Sequence, residues 1–184
     1  MLYIPRMGQY YKVIILAEKT DTKEFIRASL DPSCYNNGVK LTEHSYIRNN
    51  FVNLIEYLIC PLGMFYKSRI VWAGDYAENE PELNKNLYKL SENTGSYNPV
   101  LPTNYVEIIN KYRYIVNHTK KLYVDKKNKY YHPFPLLTAE GNGAGGGDYY
   151  GTNENLVGTW SRDVISVNEE IPENYSELIC EFSK

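Results

Sequence analysis

Residues Gln9 to Leu30, "QYYKVIILAEKTDTKEFIRASL", decide the fold class. β-Branched and aromatic residues crowd both sides of the polar turn Lys19 to Lys23, so the stretch predicts two strands, Tyr10–Ala17 and Glu24–Leu30, paired as a hairpin. A second stretch has the same plan: "YRYIVNHT" from Tyr112 and "KLYVDKKN" from Lys121 again read as strand, turn, strand. Tyr11 matches Tyr112, Lys12 matches Arg113 and Ile14 matches Ile115. Further on, "RIVWAGD" from Arg69 and "DVISVNE" from Asp163 agree in residue type, which sets Asp75 against Glu169. A duplicated unit of hairpin, crossover and return strand accounts for this order; chance likeness between strands is the competing explanation.

Between the hairpins, Ile47, Phe51, Leu54, Ile55 and Leu58 recur at helical spacing, which predicts an amphipathic helix over Ser45–Ile59 with Ser45 as its cap and Pro61 and Gly63 as its stop. Arg69–Ala73 reads as a buried strand ended by Gly74 and Asp75, and "NLYKLSEN" from Asn86 as a short further strand. Thr103 or Asn104 is expected to cap a shorter helix through Lys111. "FPLLTA" from Phe134 reads as a strand, "LVGTWSRDVISV" from Leu156 as one long or bulged strand, and "SELICEF" from Ser176 as strand or helix. The expected class is α+β: one domain over 1–184 with an antiparallel-rich mixed sheet built from two similar hairpin-containing halves, 7–98 and 103–184, one main amphipathic helix and a shorter one.

With 184 residues, 43% apolar and 23% charged, the chain is long enough for a substantial core and has a globular balance. A net charge of -2 provides no global positive field for nucleic acid, so direct nucleic-acid binding is not expected. The one basic and aromatic run, Lys111 to Tyr131, reads as strand alternation with solvated lysines. Cys34, Cys60 and Cys180 are odd in number and far apart, which suits a reducing compartment, and the apolar runs are too short or interrupted for a membrane span. The expected location is the cytoplasm.

"TAEGNGAGGGDYYGTN", Thr138 to Asn153, holds five glycines within Gly141 to Gly147. Such a run reaches φ > 0 without steric cost and bares its N–H groups, so it can form a nest for an anion or a carbonyl. No Gly-Lys-Ser/Thr ends it, which excludes a Walker A loop, and the turn sequence after it does not open an apolar helix as a dinucleotide fingerprint requires. A tight β connection or a mobile tip is the plainer reading. The shaped-loop reading makes Gly141, Asn142, Gly143, Gly145, Gly146, Gly147, Asp148, Tyr149 and Tyr150 the expected ligand- or partner-binding residues.

For catalysis the candidates are His44, Asp75 and Asp148, as acid, base or metal ligands, each with a plainer role: a surface imidazole, a Gly-Asp turn and a turn-stabilising carboxylate. Trp72 and Trp160 read as core rings. His44, His118 and His132 share no ligand spacing with one another or with the cysteines, so neither metal nor cofactor is expected, and no GxSxG elbow marks a nucleophile.

"MGQYYKV" from Met7, "GVKLTEHSY" from Gly38, "RIVWAGDYAE" from Arg69, "LLTAEGNGAGGGDYYG" from Leu136 and "VGTWSRDVI" from Val157 resemble an uncharacterised family of small bacterial and bacteriophage proteins. Its members tend to start Met-Gly-Gln-Tyr-Tyr and carry Ala-Asp-Gly-Asn-Gly-x-Gly-Gly-Gly-Asp and Trp-Ala-Gly-Asp-Tyr segments. This sequence departs from that pattern at Glu140, where aspartate is usual, and at Ser161-Arg162, where Ala-Gly is usual; Met1 to Arg6 precede the usual start and read as an alternative initiation or an added extension.

The resemblance implies phage or prophage distribution more than chemistry. With the glycine segment it leads to the expectation of a binding protein that inhibits a bacterial defence component, a host protein or protein–nucleic-acid complex, or that binds a small nucleotide-like signal. The alternatives are a hydrolase or transferase acting on a nucleotide or nucleic acid, and a homo-oligomeric structural protein, with a homodimer as the simplest form.

Overall fold

In the computed structural model, residues 9–17, 26–141 and 147–183 are described. Met1 to Gly8, the expected hairpin turn with the first residues of its second strand, and Asn142 to Gly146 lie outside them.

The first hairpin pairs β1 (Tyr11–Leu16) antiparallel with β2 (Ile26–Leu30), and β3 (Ser68–Gly74) returns antiparallel along the other side of β1, with Val13 opposite Trp72 and Ile15 opposite Ile70. The second hairpin pairs β4 (Tyr114–Asn117) with β5 (Leu122–Asp125), and β7 (Val164–Asn168) returns antiparallel along β4. β3 meets β7 antiparallel at Ser68 and Arg69, while its far end pairs in parallel with the two-residue β6 (Ala139–Glu140) at Trp72 and Ala73. A two-residue β8 (Ser176–Glu177) adds to β5, giving the order β2-β1-β3-β7-β4-β5-β8 with β6 beside β3. This is an α+β fold with a mostly antiparallel mixed sheet.

Outward from the β3–β7 junction, return strand, first hairpin strand and second hairpin strand follow in the same sequence on both sides. The residue matches do not follow that arrangement. Ile14 belongs to the minor core face and Ile115 to the major one, and Trp72 lies on the major face whereas its counterpart Ser166 does not. Side chains alternate with a period of two, so a one-residue offset puts matched residues on opposite faces.

The major face is covered by α2 (Asn50–Ile59), whose Phe51, Leu54, Ile55, Leu58 and Ile59 join Val13, Ile15, Ile70, Trp72, Ile115 and Val167 in one buried cluster. Each fully buried side chain of this size stabilises by about 1.5–3 kcal/mol through area removed from water. On the other face, Ile14, Leu16, Val71 and Ala73 pack with Leu87 of α3 (Leu87–Ser91).

The expected helix over Ser45–Ile59 divides. A single turn, α1 (Leu41–His44), ends before Ser45; Arg48 adopts φ 73°, and α2 begins only after Asn49, whose side chain accepts from the amides of Phe51 and Val52 at 2.9 and 3.1 Å. A left-handed residue cannot continue a right-handed helix, so Asn49 is the cap. The shorter helix is α4 (Tyr105–Ile109).

"NLYKLSEN" forms helix α3 and not a strand, because Asn86 caps it by accepting from the Lys89 amide. "FPLLTA" is mostly α5 (Pro133–Leu137): Pro133 sits at the first helical position, where a missing N–H costs nothing, and the side chain of His132 caps it. In "LVGTWSRDVISV" only β7 is strand, since Gly158 and Arg162 adopt φ 77° and 64° and break the extension.

The cap assignment has a direct check. Asn49→Ala is expected to lower stability by about 1–2 kcal/mol in urea unfolding. Ser45→Ala is expected to be neutral or stabilising, because the Ser45 hydroxyl is buried without a hydrogen-bond partner among the described residues.

Candidate functional site

The described ends of the glycine segment, Gly141 and Gly147, lie at the end of the sheet where β1 begins and β3 stops. At Gly74, the last residue of β3, a Cβ would stand 2.9 Å from both Gln9 Oε1 and the Glu140 carbonyl oxygen and 3.2 Å from Gly141 Cα, so the approach of Gly141 requires glycine there. Gly147, at φ 60°, rests on β1: a Cβ on it would come within 2.8 Å of the Tyr11 hydroxyl and 3.0 Å of its ring. The segment therefore enters against β3 and leaves against β1. Asn142, Gly143, Gly145 and Gly146, four of the expected binding residues, lie outside the described residues.

The entry side is held by charge. Arg162 donates through Nε and Nη2 to Glu140 at 2.7 and 2.6 Å, and through Nη1 and Nη2 to Glu80 at 3.0 and 2.5 Å, while the Ser161 hydroxyl donates to Glu140 at 2.8 Å. Glu80 is buried and Arg162 only partly exposed. Burial works against the guanidinium charge, yet the bonds to Glu140 and Glu80 outweigh it and raise the Arg162 pKa. The two departures from the resembling pattern, Glu140 and Ser161-Arg162, thus bind each other.

The exit side is held by hydrogen bonds and rings. Asp148 accepts from the Thr42 amide at 3.2 Å and from the Thr42 hydroxyl, which ties it to the first turn of α1. Tyr149 is buried, packs edge-on against Tyr131 and Phe182, and donates its hydroxyl to the Thr152 carbonyl at 2.5 Å. Tyr150 is exposed.

His44 is not a surface imidazole. It is fully buried beside Phe51 and Trp72; its Nε2 accepts the Trp72 indole N–H at 2.8 Å, which leaves Nδ1 to donate to the Gly38 carbonyl at 3.0 Å. Burial depresses its pKa to about 4, against smaller upward contributions from the Gly38 bond, Asp148 and Glu43. Both nitrogens of this neutral ring are engaged, so it has no lone pair for base catalysis. Asp75, in the turn after β3, ties that turn to the residue before β1: its Oδ1 accepts from the Tyr10 amide at 3.1 Å and its own amide donates to the Tyr10 carbonyl at 3.0 Å, while burial raises its carboxyl pKa.

The side chain that senses both carboxylates is Tyr11. Burial first, then the negative charges of Asp148 and Asp75, push its hydroxyl well above the usual tyrosine range. Sequence reading placed Tyr11 only within a strand and missed it as the floor under Gly147. Thr42, Glu80 and Arg162 were missed as well, because each acts through a partner tens of residues away.

Among the described residues, no group of three or more His, Cys, Asp and Glu could hold a metal ion, and no helix is long and apolar enough to cross a membrane. No family model, no curated protein and no solved structure matches this chain.

Arg162→Gly suits the left-handed backbone but leaves Glu80 and Glu140 facing each other without their cation. Urea unfolding at pH 7 is expected to show a loss of about 2–3 kcal/mol, less than for a fully buried pair because Arg162 is partly exposed. Acid acts on the native chain. His44 binds its proton near 4 when folded and near 6.5 when unfolded, so between those values the unfolded state holds more protons and stability falls as pH falls. His44 alone contributes roughly 3 kcal/mol over that interval. His118, lowered to about 4 by burial and by Lys67, and His132, lowered chiefly by burial, act in the same direction. The midpoint of urea unfolding measured from pH 7 to pH 4 checks this.

Proposed function

We propose that this chain is a non-catalytic binding protein of phage or prophage origin, acting in the bacterial cytoplasm to inhibit a host defence component or to sequester a nucleotide-like signal. Its contact surface is the segment from Gly141 to Tyr150. The phage assignment rests on the resemblance of the five sequence segments, and the contact surface rests on geometry. The observation that carries it is that both flanks of the glycine segment are pinned to the end of the sheet, Glu140 by Arg162 and Gly147 and Asp148 by Tyr11 and Thr42. Fixed flanks reduce the ordering cost a partner would meet on binding a glycine-rich surface. An enzyme built on His44, Asp75 and Asp148 has less support, because both ring nitrogens of His44 and both carboxylate oxygens of Asp148 serve the fold, and Asp75 Oδ1 is taken by the Tyr10 amide.

The test is the plating of a phage carrying this gene on hosts with and without a given defence system. Gly146→Pro and Tyr150→Ala are expected to cost protection by at least about tenfold together with partner affinity, while thermal unfolding stays within a few degrees of the native chain. Asp75→Asn should keep protection. If it abolishes protection while partner affinity is intact, the binding reading fails and catalysis replaces it.

A further inference from the structure

The basic run from Lys111 to Tyr131 does not form a uniform solvated face. Its two ends fold around one cleft of about 450 Å³, on which Lys111, Arg113, Lys126 and Lys127 converge with Arg48 from the turn before α2. The cleft floor is Glu56, the one carboxylate that lines it among the described residues, buried within the helix α2.

That carboxylate is already matched. Lys126 donates to Glu56 Oε1 at 2.5 Å, and the buried His132 donates through Nε2 at 3.1 Å to the same oxygen. His132 Nδ1 accepts from the Phe134 amide at 3.3 Å, so the ring is neutral and its tautomer is set by α5. Burial works against the Glu56 charge, yet Lys126 and His132 together outweigh it and hold the carboxyl below its usual pKa, so it stays ionised and balanced. On the rim, Arg113 is paired with Asp125. Arg48, Lys111 and Lys127 remain: three exposed cations facing a concave space, with no ion-pair partner among the described residues.

We infer that this cleft binds a small, multiply charged phosphate group, with Arg48, Lys111 and Lys127 as its ligands and the Glu56–Lys126–His132 triad as its rigid floor. Its volume falls in the range of roughly 300–1,000 Å³ typical of small-molecule sites. Three unmatched cations in a concavity focus the field on a compact anion. A long polyanion would call for an extended basic stripe; this chain has a net charge of -2, and the cleft gathers five of its twenty Lys and Arg residues around a compact concavity. The inference goes beyond the partner reading above and is independent of it, since no residue lining this cleft belongs to the glycine segment.

Calorimetric titration with sodium pyrophosphate at low ionic strength tests it. The native chain is expected to bind one pyrophosphate with a dissociation constant below about 1 mM, weakening as salt is added. Lys111→Glu and Lys127→Glu should each weaken it by at least about tenfold. Arg48→Gly separates binding from folding: it relieves the left-handed backbone at φ 73°, so thermal stability should hold or rise while pyrophosphate affinity falls. Lys85→Glu makes the same charge change at an exposed lysine outside the cleft and should leave affinity within about twofold. Absence of saturable binding to the native chain, an equal loss with Lys85→Glu, or tighter binding of a single-stranded oligonucleotide than of pyrophosphate would each overturn the inference.

Discussion

An indole N–H buried at the centre of a sheet must find an acceptor, and the rest of this structure is arranged around how Trp72 finds one. Trp72 has no solvent exposure, and its strand is flanked by β1 on one side and by β6 and β7 on the other. A donor left unsatisfied there would cost about 1–3 kcal/mol. His44 provides the acceptor, and because its Nε2 is so used, its Nδ1 must donate to Gly38. One hydrogen bond therefore sets a tautomer and fastens the Gly38 to Ser45 stretch to the major face of the sheet, where burial depresses the imidazole pKa. α1 lies in that stretch, and its Thr42 holds Asp148.

The consequence reaches the glycine segment. Gly147 and Asp148 have fixed positions because Tyr11 and Thr42 have them, and Glu140 has one because Arg162 grips it together with Glu80. Polar side chains that look reactive in the sequence are, in the fold, the fasteners of a loop. A carboxylate that caps a helical turn and an imidazole that satisfies an indole are poor catalysts for the same reason that they are good supports: their lone pairs and protons are already engaged.

Local pattern made much of the fold legible. Runs of β-branched and aromatic residues mark β1, β3 and both strands of the second hairpin, and helical spacing marks the apolar face of α2. The five-residue helices α3 and α5 are too short to show a periodicity; only their caps, Asn86 and the pair His132-Pro133, announce them. The site was less legible. The residues flanking the glycine segment are held by partners far away in the sequence: the Thr42–Asp148 contact spans 106 positions and the Glu80–Arg162 contact 82. His44 lies between Glu43 and Ser45 like a surface residue, and only its distant partner Trp72 explains why it is buried. The cleft at the ends of the basic run was illegible for a similar reason: the two ends meet only after the second hairpin turns back, with Arg48 arriving from another element.

The most direct measurement of this account is the tautomer of His44 and the state of the Trp72 indole proton by long-range nitrogen–proton NMR at pH 7. The account predicts a single neutral form with the proton on Nδ1, an unprotonated Nε2 carrying the shift of a hydrogen-bond acceptor, and a Trp72 indole proton that exchanges with solvent only through global unfolding. An imidazole averaging between tautomers, next to an indole proton that exchanges freely, would contradict it.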